Sequence, residues 1–255
     1  MILFEVAPHV AALLTGAGFV AGLVDAIAGG GGLITVPALL LAGASPLQAL
    51  ATNKVQGSFG AGAAVLTYAR AGQVQPGAQL GMAAIAALAG AGGAMIAHAV
   101  PVGVLRLVMP VVLIGIAAFF ALKPGLTDAA RGQRIGPTVF AATVVPLIGA
   151  YDGVFGPGAG SLYMMAFVML AGFGVLKATA HTKMLNFASN LGSLAVFATT
   201  GATWWTLGLA MGAAQVLGSM IGARLALRIG ARMIKPLLVV TSTLMALRLL
   251  WQAFD

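Results

Sequence analysis

Four ionisable residues stand inside or near the ends of long apolar stretches of the sequence, and they are the residues placed to do chemistry: Asp25, Lys54, Asp152 and Lys183. A charge at the centre of a bilayer costs at least about 2.5–3.5 kcal/mol on insertion scales, so a charge kept there marks a functional site that also supplies a partner. Lys54 and Lys183 follow the starts of their apolar runs, at 47 and 175, by seven to eight residues, a depth of about 11 Å along a helix. Lys177, at the very start of the same run as Lys183, reads instead as an interfacial lysine whose ammonium snorkels to water. A buried ammonium is an anion ligand. The carboxyl groups of Asp25 and Asp152 have two uses: each can pair with a lysine when no substrate is bound, or exchange a proton.

Each aspartate is followed four residues later by a glycine cluster, Gly29-Gly30-Gly31-Gly32 in one case and Gly156-Pro157-Gly158-Ala159-Gly160 in the other. Such clusters break helices, and a broken backbone at membrane depth survives only where protein or a watery cavity satisfies it. A helix that restarts after such a break presents unpaired N–H groups and a partial positive charge of roughly half a unit, a ready anion site. Thr35 and Ser161 are expected to open the two short helices, with Gly31, Gly32, Gly158 and Gly160 supplying backbone N–H groups. Small residues also serve close helix packing, but packing alone explains neither four consecutive glycines nor their recurrence beside an aspartate. Around the lysines stand Asn53, Gln56, Thr182 and Asn186; Lys183, Asn186 and Asn190 share one helical face. The expected substrate-binding set is thus Lys54, Lys183, Asn53, Gln56, Thr182, Asn186, the four glycines, Thr35 and Ser161, with Asp25 and Asp152 as coupling or proton candidates.

Other chemistries find little support. Neither glycine cluster fits a dinucleotide or phosphate-binding fingerprint, since Ile34 and Ser161 occupy the third glycine's place. The chain has no cysteine and three histidines, and His181 has no ligand-type neighbour in sequence, so no metal and no cofactor is expected. An enzyme would need a nucleophile–base pair or a metal cluster, and none is present.

The elements that position these residues must lie in lipid. Of 255 residues 60% are hydrophobic and 7% charged, and the mean hydropathy is +1.04; a soluble domain carries about 25% charged residues to cover its surface. The net charge of +8 comes from basic residues scattered between apolar runs, a membrane pattern and not the basic stripe of a nucleic-acid binder. The first segment contains Ala26-Ile27-Ala28, which resembles a leader cleavage site, but Glu5 and no basic residue precedes it, so it reads as a retained span. Apolar runs fall at 8–28, 33–43, 47–69, 77–99, 103–122, 137–151, 161–173, 175–200, 204–226 and 233–254. About 20 helical residues cross a bilayer; the runs at 33–43 and 161–173 are too short to cross unaided.

The chain also repeats itself. Asp25 and Asp152 are offset by 127 residues, Thr52-Asn53-Lys54 and His181-Thr182-Lys183 by 129, and Gly92, Arg106 and Pro110 match Gly218, Arg232 and Pro236 at 126. Residues 1–122 form a first repeat, 123–136 a cytoplasmic linker and 137–255 a second repeat. The last inter-helix loop carries Arg224, Arg228, Arg232 and Lys235 where its counterpart near 98–106 has Arg106 and His98; if basic loops face the cytoplasm, the repeats have opposite orientation. The expected fold is an all-α polytopic membrane protein of two inverted-topology repeats, each a re-entrant broken-helix hairpin plus three transmembrane helices.

The stretch Gly22 to Pro37, followed by Ala51-Thr52-Asn53-Lys54, and its echo at Asp152, Gly156-Pro157-Gly158-Ala159-Gly160, Thr182-Lys183 and Asn186, resembles the TauE/SafE family of membrane proteins. The resemblance covers nearly the whole chain. It implies an inner-membrane permease linked to movement of sulfite, sulfoacetate or related organosulfonates. Gly57 stands where the second repeat has Asn186, so the halves are not equivalent. The function expected is a secondary transporter for a small sulfur-containing anion working by alternating access, with a carrier of another small anion such as a carboxylate, or an anion channel, as alternatives. The partners expected are the anion, the bilayer and, as an open option, a second copy of the chain; no nucleic acid is expected.

Overall fold

The computed structural model describes residues 4–122 and 132–230. The expected tenth run, at 233–254, and the repeat anchors Arg232 and Pro236 lie outside the described residues, as does most of the 123–136 linker. Among the described residues the chain is all-helical. Helix α1 spans Pro8–Ala28, α2 Gly31–Leu41, α3 Pro46–Arg70, α4 Leu80–Ala99 and α5 Val102–Leu122. After the linker come α6 Pro137–Val154, α7 Ala159–Met169, α8 Val175–Phe197 and α9 Trp205–Ile229. Within α6 one π-helical turn at Phe140–Val144 interrupts the α ladder.

Among the described residues, four helices are long and apolar enough to cross a membrane: α1, α4 with its 3₁₀ lead-in (Pro76–Ala99), α6 and α9. Helices α3 and α8, with 25 and 23 residues, have the length. They fall short in hydropathy because they carry the lysines, asparagines, serines and threonines singled out above. Their polar faces are buried inside the bundle: Thr52, Asn53, Lys54, Gln56 and Ser58 on α3, and Thr182, Lys183, Asn186, Ser189, Asn190 and Ser193 on α8.

Both short helices fold back against the helix before them. Where α1 ends, Gly29 adopts φ +82° and its N–H bonds to the carbonyl of Asp25, 2.8 Å away. This left-handed conformation is one that glycine takes at little cost. In the second half Gly158, also at φ +82°, precedes α7. Beyond α7, the Leu170 carbonyl accepts from the backbone N–H of Arg134 at 2.9 Å and of Ile135 at 3.2 Å. The α6–α7 hairpin therefore leaves at the end where it came in. Phe140 and Phe167 stack at 4.7 Å between its arms, and the Tyr163 hydroxyl donates to the Val145 carbonyl at 3.0 Å.

Two apolar clusters mark the ends of the bundle. One joins Ala64, Val65 and Tyr68 from the end of α3 with Val175 and Ala178 from the start of α8, Ala83 from the start of α4, and Ala223 and Ala226 from the end of α9. The other joins Ala49 and Leu50 from the start of α3 with Phe197 from the end of α8, Ala97 from the end of α4, and Leu207 and Met211 from the start of α9. So α3 runs antiparallel to α8, and α4 antiparallel to α9. The halves interlock: α1 packs on α9, α6 on α4, and α3 on α8. Glycines let these backbones touch. A Cβ on Gly218 of α9 would overlap the Phe19 carbonyl of α1, and one on Gly153 of α6 would overlap the Gly90 carbonyl of α4, the small-residue packing of membrane helices. At the first end lie Arg70, Arg134, Lys177, Arg224 and Arg228; at the second lie Glu5, His9 and His98, with Arg106 one turn into α5.

Candidate functional site

The two helix breaks meet at the middle of the bundle. The Ser161 N–H donates to the Gly29 carbonyl at 3.1 Å, and the Ser161 hydroxyl to the Ala28 carbonyl at 2.8 Å. A Cβ on Gly29 would lie 2.6 Å from the Gly160 carbonyl carbon, and one on Gly32 would lie 3.2 Å from Pro157 Cα. The cavity beside this crossing, about 30 Å3 in volume, is lined by Asp25, Gly29, Gly32, Asn53, Gly57, Asp152, Gly156, Gly158, Gly160, Asn186, Asn190 and Gln215. Its volume suits about two water molecules, and its lining has no purely apolar side chain.

Both lysines are fully buried, and each pairs with the aspartate of the other half. Lys54 Nζ lies 2.7 Å from Asp152 Oδ1 and Lys183 Nζ 2.9 Å from Asp25 Oδ2. Unpaired, any one of these charges would be very costly in a low-dielectric interior; paired and hydrogen-bonded, the four are tolerated. The surroundings of the pairs differ. Lys54 also donates to the Asp152 main-chain carbonyl at 2.5 Å, and Asp152 Oδ2 accepts a short hydrogen bond from the Ser189 hydroxyl. Asp25 Oδ1 accepts from the Gly31 N–H at 3.2 Å, so this carboxylate caps the start of α2 and meets the positive end of its dipole. The N–H groups of Gly32 and Gly160, the second residues of α2 and α7, have no hydrogen-bond partner among the described residues, and both glycines border the cavity.

Of the residues expected to bind substrate, Asn53, Asn186, Gly32, Gly158 and Gly160 line the cavity together with Asp25 and Asp152. Lys54 and Lys183 stand directly behind it through their aspartate partners. Gln56 sits one layer back, its Nε2 donating to Asn53 Oδ1 at 3.3 Å. Thr182 is buried, its hydroxyl without a partner among the described residues, and is not on the cavity wall. Thr35 does not open α2, which starts at Gly31; it lies a turn inside and donates to Asn53 Oδ1 at 2.7 Å. The Asp25 carboxylate explains the early start, because it satisfies the first N–H and lets glycine be helical. Ser161 does not open α7 either, which starts at Ala159; as its third residue it fastens the two breaks together and is not on the cavity wall. His181 packs against Phe167 and Phe173, away from any metal-type cluster, and among the described residues no such cluster occurs.

Sequence reading missed Gln215 and Ser189 altogether and left Asn190 outside the site. Gln215 is a lone amide in the middle of α9, and that isolation in an apolar run was its signal. Ser189 falls at i+3 from Asn186 on a face that also bears Asn190 and Ser193. The halves compensate for each other here. Gly57 leaves the space that Asn190 fills, 3.3 Å from where its Cβ would stand, and Gly60 leaves the space of the Gln215 side chain.

Replacing Gly158 with Val tests the breaks. Its φ of +82° is hostile to a β-branched residue, and the residue stands on the cavity wall. Transport in vesicles is expected to fall at least tenfold while the protein still purifies as a monodisperse species. Aggregation with no folded protein would instead assign the glycine a packing role.

Buried paired charges beside two broken helices, in a bundle of membrane-length apolar helices, mark the chain as an integral membrane protein with a polar centre. A family model described as Sulfite exporter TauE/SafE matches residues 14–249. The chain is 54% identical over 246 residues to the "Probable membrane transporter protein ORF9" of Sinorhizobium sp, covering 96% of this chain and 94% of that one. It is 41% identical over 251 residues to the "Probable membrane transporter protein YfcA" of Escherichia coli (strain K12), covering 98% and 93%. It is 39% identical over 240 residues to a "Probable membrane transporter protein" of Haemophilus influenzae, covering 94% of each chain. The chain therefore belongs to the TauE/SafE family of membrane proteins. No solved structure matches it.

Proposed function

We propose that this protein is a secondary transporter of the bacterial inner membrane that moves a small sulfur-containing anion, such as sulfite or an organosulfonate, by alternating access between two inverted halves. The observation that carries the reading is the reciprocal exchange of charge, Lys54 to Asp152 and Lys183 to Asp25, at two broken helices around one polar cavity. A sulfonate offers three acceptor oxygens and one negative charge. Ammonium groups, side-chain amides and the N–H groups of Gly32 and Gly160 match that inventory. The antiparallel course of α3 with α8 and of α4 with α9 supports inversion of the halves, and broken helices in corresponding positions of two repeats are where transporters hold substrate. The family's description as a sulfite exporter supports the anion class.

The cavity is too small for a sulfonate in this conformation, so binding must part at least one lysine–carboxylate pair. In proteoliposomes, uptake of radiolabelled isethionate or sulfite is expected to saturate with concentration and to accelerate when unlabelled anion is trapped inside. Linear, unsaturable flux would identify a channel instead, and preference for acetate over both sulfur anions would point to a carboxylate carrier.

The concentration of Arg70, Arg134, Lys177, Arg224 and Arg228 at one end supports a cytoplasmic placing of that end. A cysteine at Gln133, in the linker, is expected to react only from the cytoplasmic side, and one at Val102, at the opposite end, only from outside. Labelling of both from one side would contradict the inverted arrangement.

A further inference from the structure

We propose that the anion enters with one proton, and that the proton goes to Asp25 and not to Asp152; the proposal rests on the anion-site reading above. The four charges around the cavity, two ammonium and two carboxylate groups, sum to zero. Adding a monovalent anion leaves an uncompensated negative charge in a poorly solvated site, which such a site does not tolerate. One proton taken up by one carboxylate restores neutrality and frees a lysine for the substrate. In balance, the Lys183 ammonium keeps its protons and exchanges carboxylate for anion, while the Asp25 carboxylate gains one proton from bulk water.

The geometry separates the two candidates. Asp152 is locked: Lys54 holds Oδ1 and the main-chain carbonyl, Ser189 holds Oδ2, and its side chain is 3% exposed. Asp25 is held by one ammonium at 2.9 Å and one backbone N–H at 3.2 Å, with its side chain 9% exposed. Lys183 has no hydrogen bond besides the one to Asp25 among the described residues, so its other two N–H bonds are available to an anion. The first half has no hydroxyl equivalent to Ser189, since the matching position is Gly60, where the Gln215 side chain lies. Gln215 Oε1 and Asn186 Oδ1 are buried acceptors with no donor among the described residues, and both residues line the cavity with Asp25. A neutral Asp25 carboxyl has an O–H to give, and these two oxygens are where it can go. Among the described residues, the charged and titratable groups that face Asp25 are Lys183 from α8, Tyr68 from α3, whose hydroxyl donates to the Ala26 carbonyl, and, across the cavity, Asp152 with its partner Lys54; α2 contributes backbone N–H and α9 the Gln215 amide.

The test uses purified full-length protein and isethionate, a strong acid that keeps one negative charge across the working pH range. Binding heats measured in buffers of different ionisation enthalpy are expected to report one proton taken up per anion. The apparent affinity is then expected to rise about tenfold for each unit that pH falls, as linkage requires for one proton. The Asp25→Asn variant is expected to bind with no proton uptake and to exchange anion across vesicles, but not to accumulate it against a pH gradient. A second measurement does not depend on that variant folding. The infrared difference spectrum on adding isethionate is expected to gain a protonated-carboxyl band that Ser189→Ala leaves in place, because the Ser189 hydroxyl bonds to Asp152 and not to Asp25. Binding without proton uptake, or a band that shifts in Ser189→Ala, overturns the assignment while leaving the anion site intact. Failure of wild-type protein to bind isethionate or sulfite at all overturns the anion site and this proposal with it.

Discussion

Lys183→Met is expected to weaken sulfonate binding by about 1.5–3 kcal/mol, roughly 10- to 150-fold, the worth of a charged hydrogen bond in a desolvated site. Methionine keeps the length and apolar stem of the side chain, so packing around the fully buried Lys183 changes little, and the Asp25 left behind can take a proton. Lys54→Met is expected to fall at the lower end of that range. Two of its three N–H bonds are already engaged by Asp152. Lysine-to-arginine changes are not expected to rescue either site, because a planar guanidinium fork does not fit a space shaped for a compact ammonium. Lys177→Ala is the control. Its ammonium lies 4.9 Å from the centre of the Phe173 ring, at the basic end of the bundle, and affinity should be unchanged. Isothermal binding titrations check all five variants.

The second large effect is on stability. Asp152→Ala leaves the fully buried Lys54 charged and without its carboxylate, and is expected to cost about 3–5 kcal/mol. The double variant Asp152→Ala/Lys54→Met removes the pair as a unit and is expected to recover most of that loss while remaining inactive in transport. Thermal unfolding in detergent reads the difference. Additive losses in the double variant would mean that the two side chains act independently, contrary to the ion pair across the halves. A charge pair that stabilises little against an apolar replacement, yet is indispensable for flux, serves the electrostatics of the site and not the stability of the fold.

Much of this site was legible in the sequence because membrane burial makes charge expensive. Four charged residues in apolar runs and two glycine clusters at matching offsets pointed to Lys54, Lys183, Asp25 and Asp152, and all four converge in the fold. The helical class and the two short helices were legible from run length alone. What could not be read was the partnership. Whether Asp25 meets Lys54 or Lys183 depends on how the halves interlock, that is, on how α1 and α6 seat against α3 and α8. Thr35 was misplaced as a helix start because glycine ordinarily ends helices; the Asp25 carboxylate, six residues before Gly31, overrides that local preference. Gln215 and Ser189 escaped notice because a single amide or hydroxyl in a membrane helix is common, and their importance lies in the gaps at Gly60 and around Asp152 that they fill.

The central claim is that an anion takes the place of a carboxylate beside Lys183 in the cavity between the two helix breaks. A crystal structure with selenite, a heavier analogue of sulfite, measures this directly through the anomalous signal of selenium. The account predicts one strong peak between Gly32, Gly160 and Lys183, with an oxygen within hydrogen-bond reach, about 3 Å, of Lys183 Nζ, and the Asp25 side chain turned away from that ammonium. A selenite peak elsewhere, with both lysine–aspartate pairs unchanged in a protein that still transports sulfite, would contradict it.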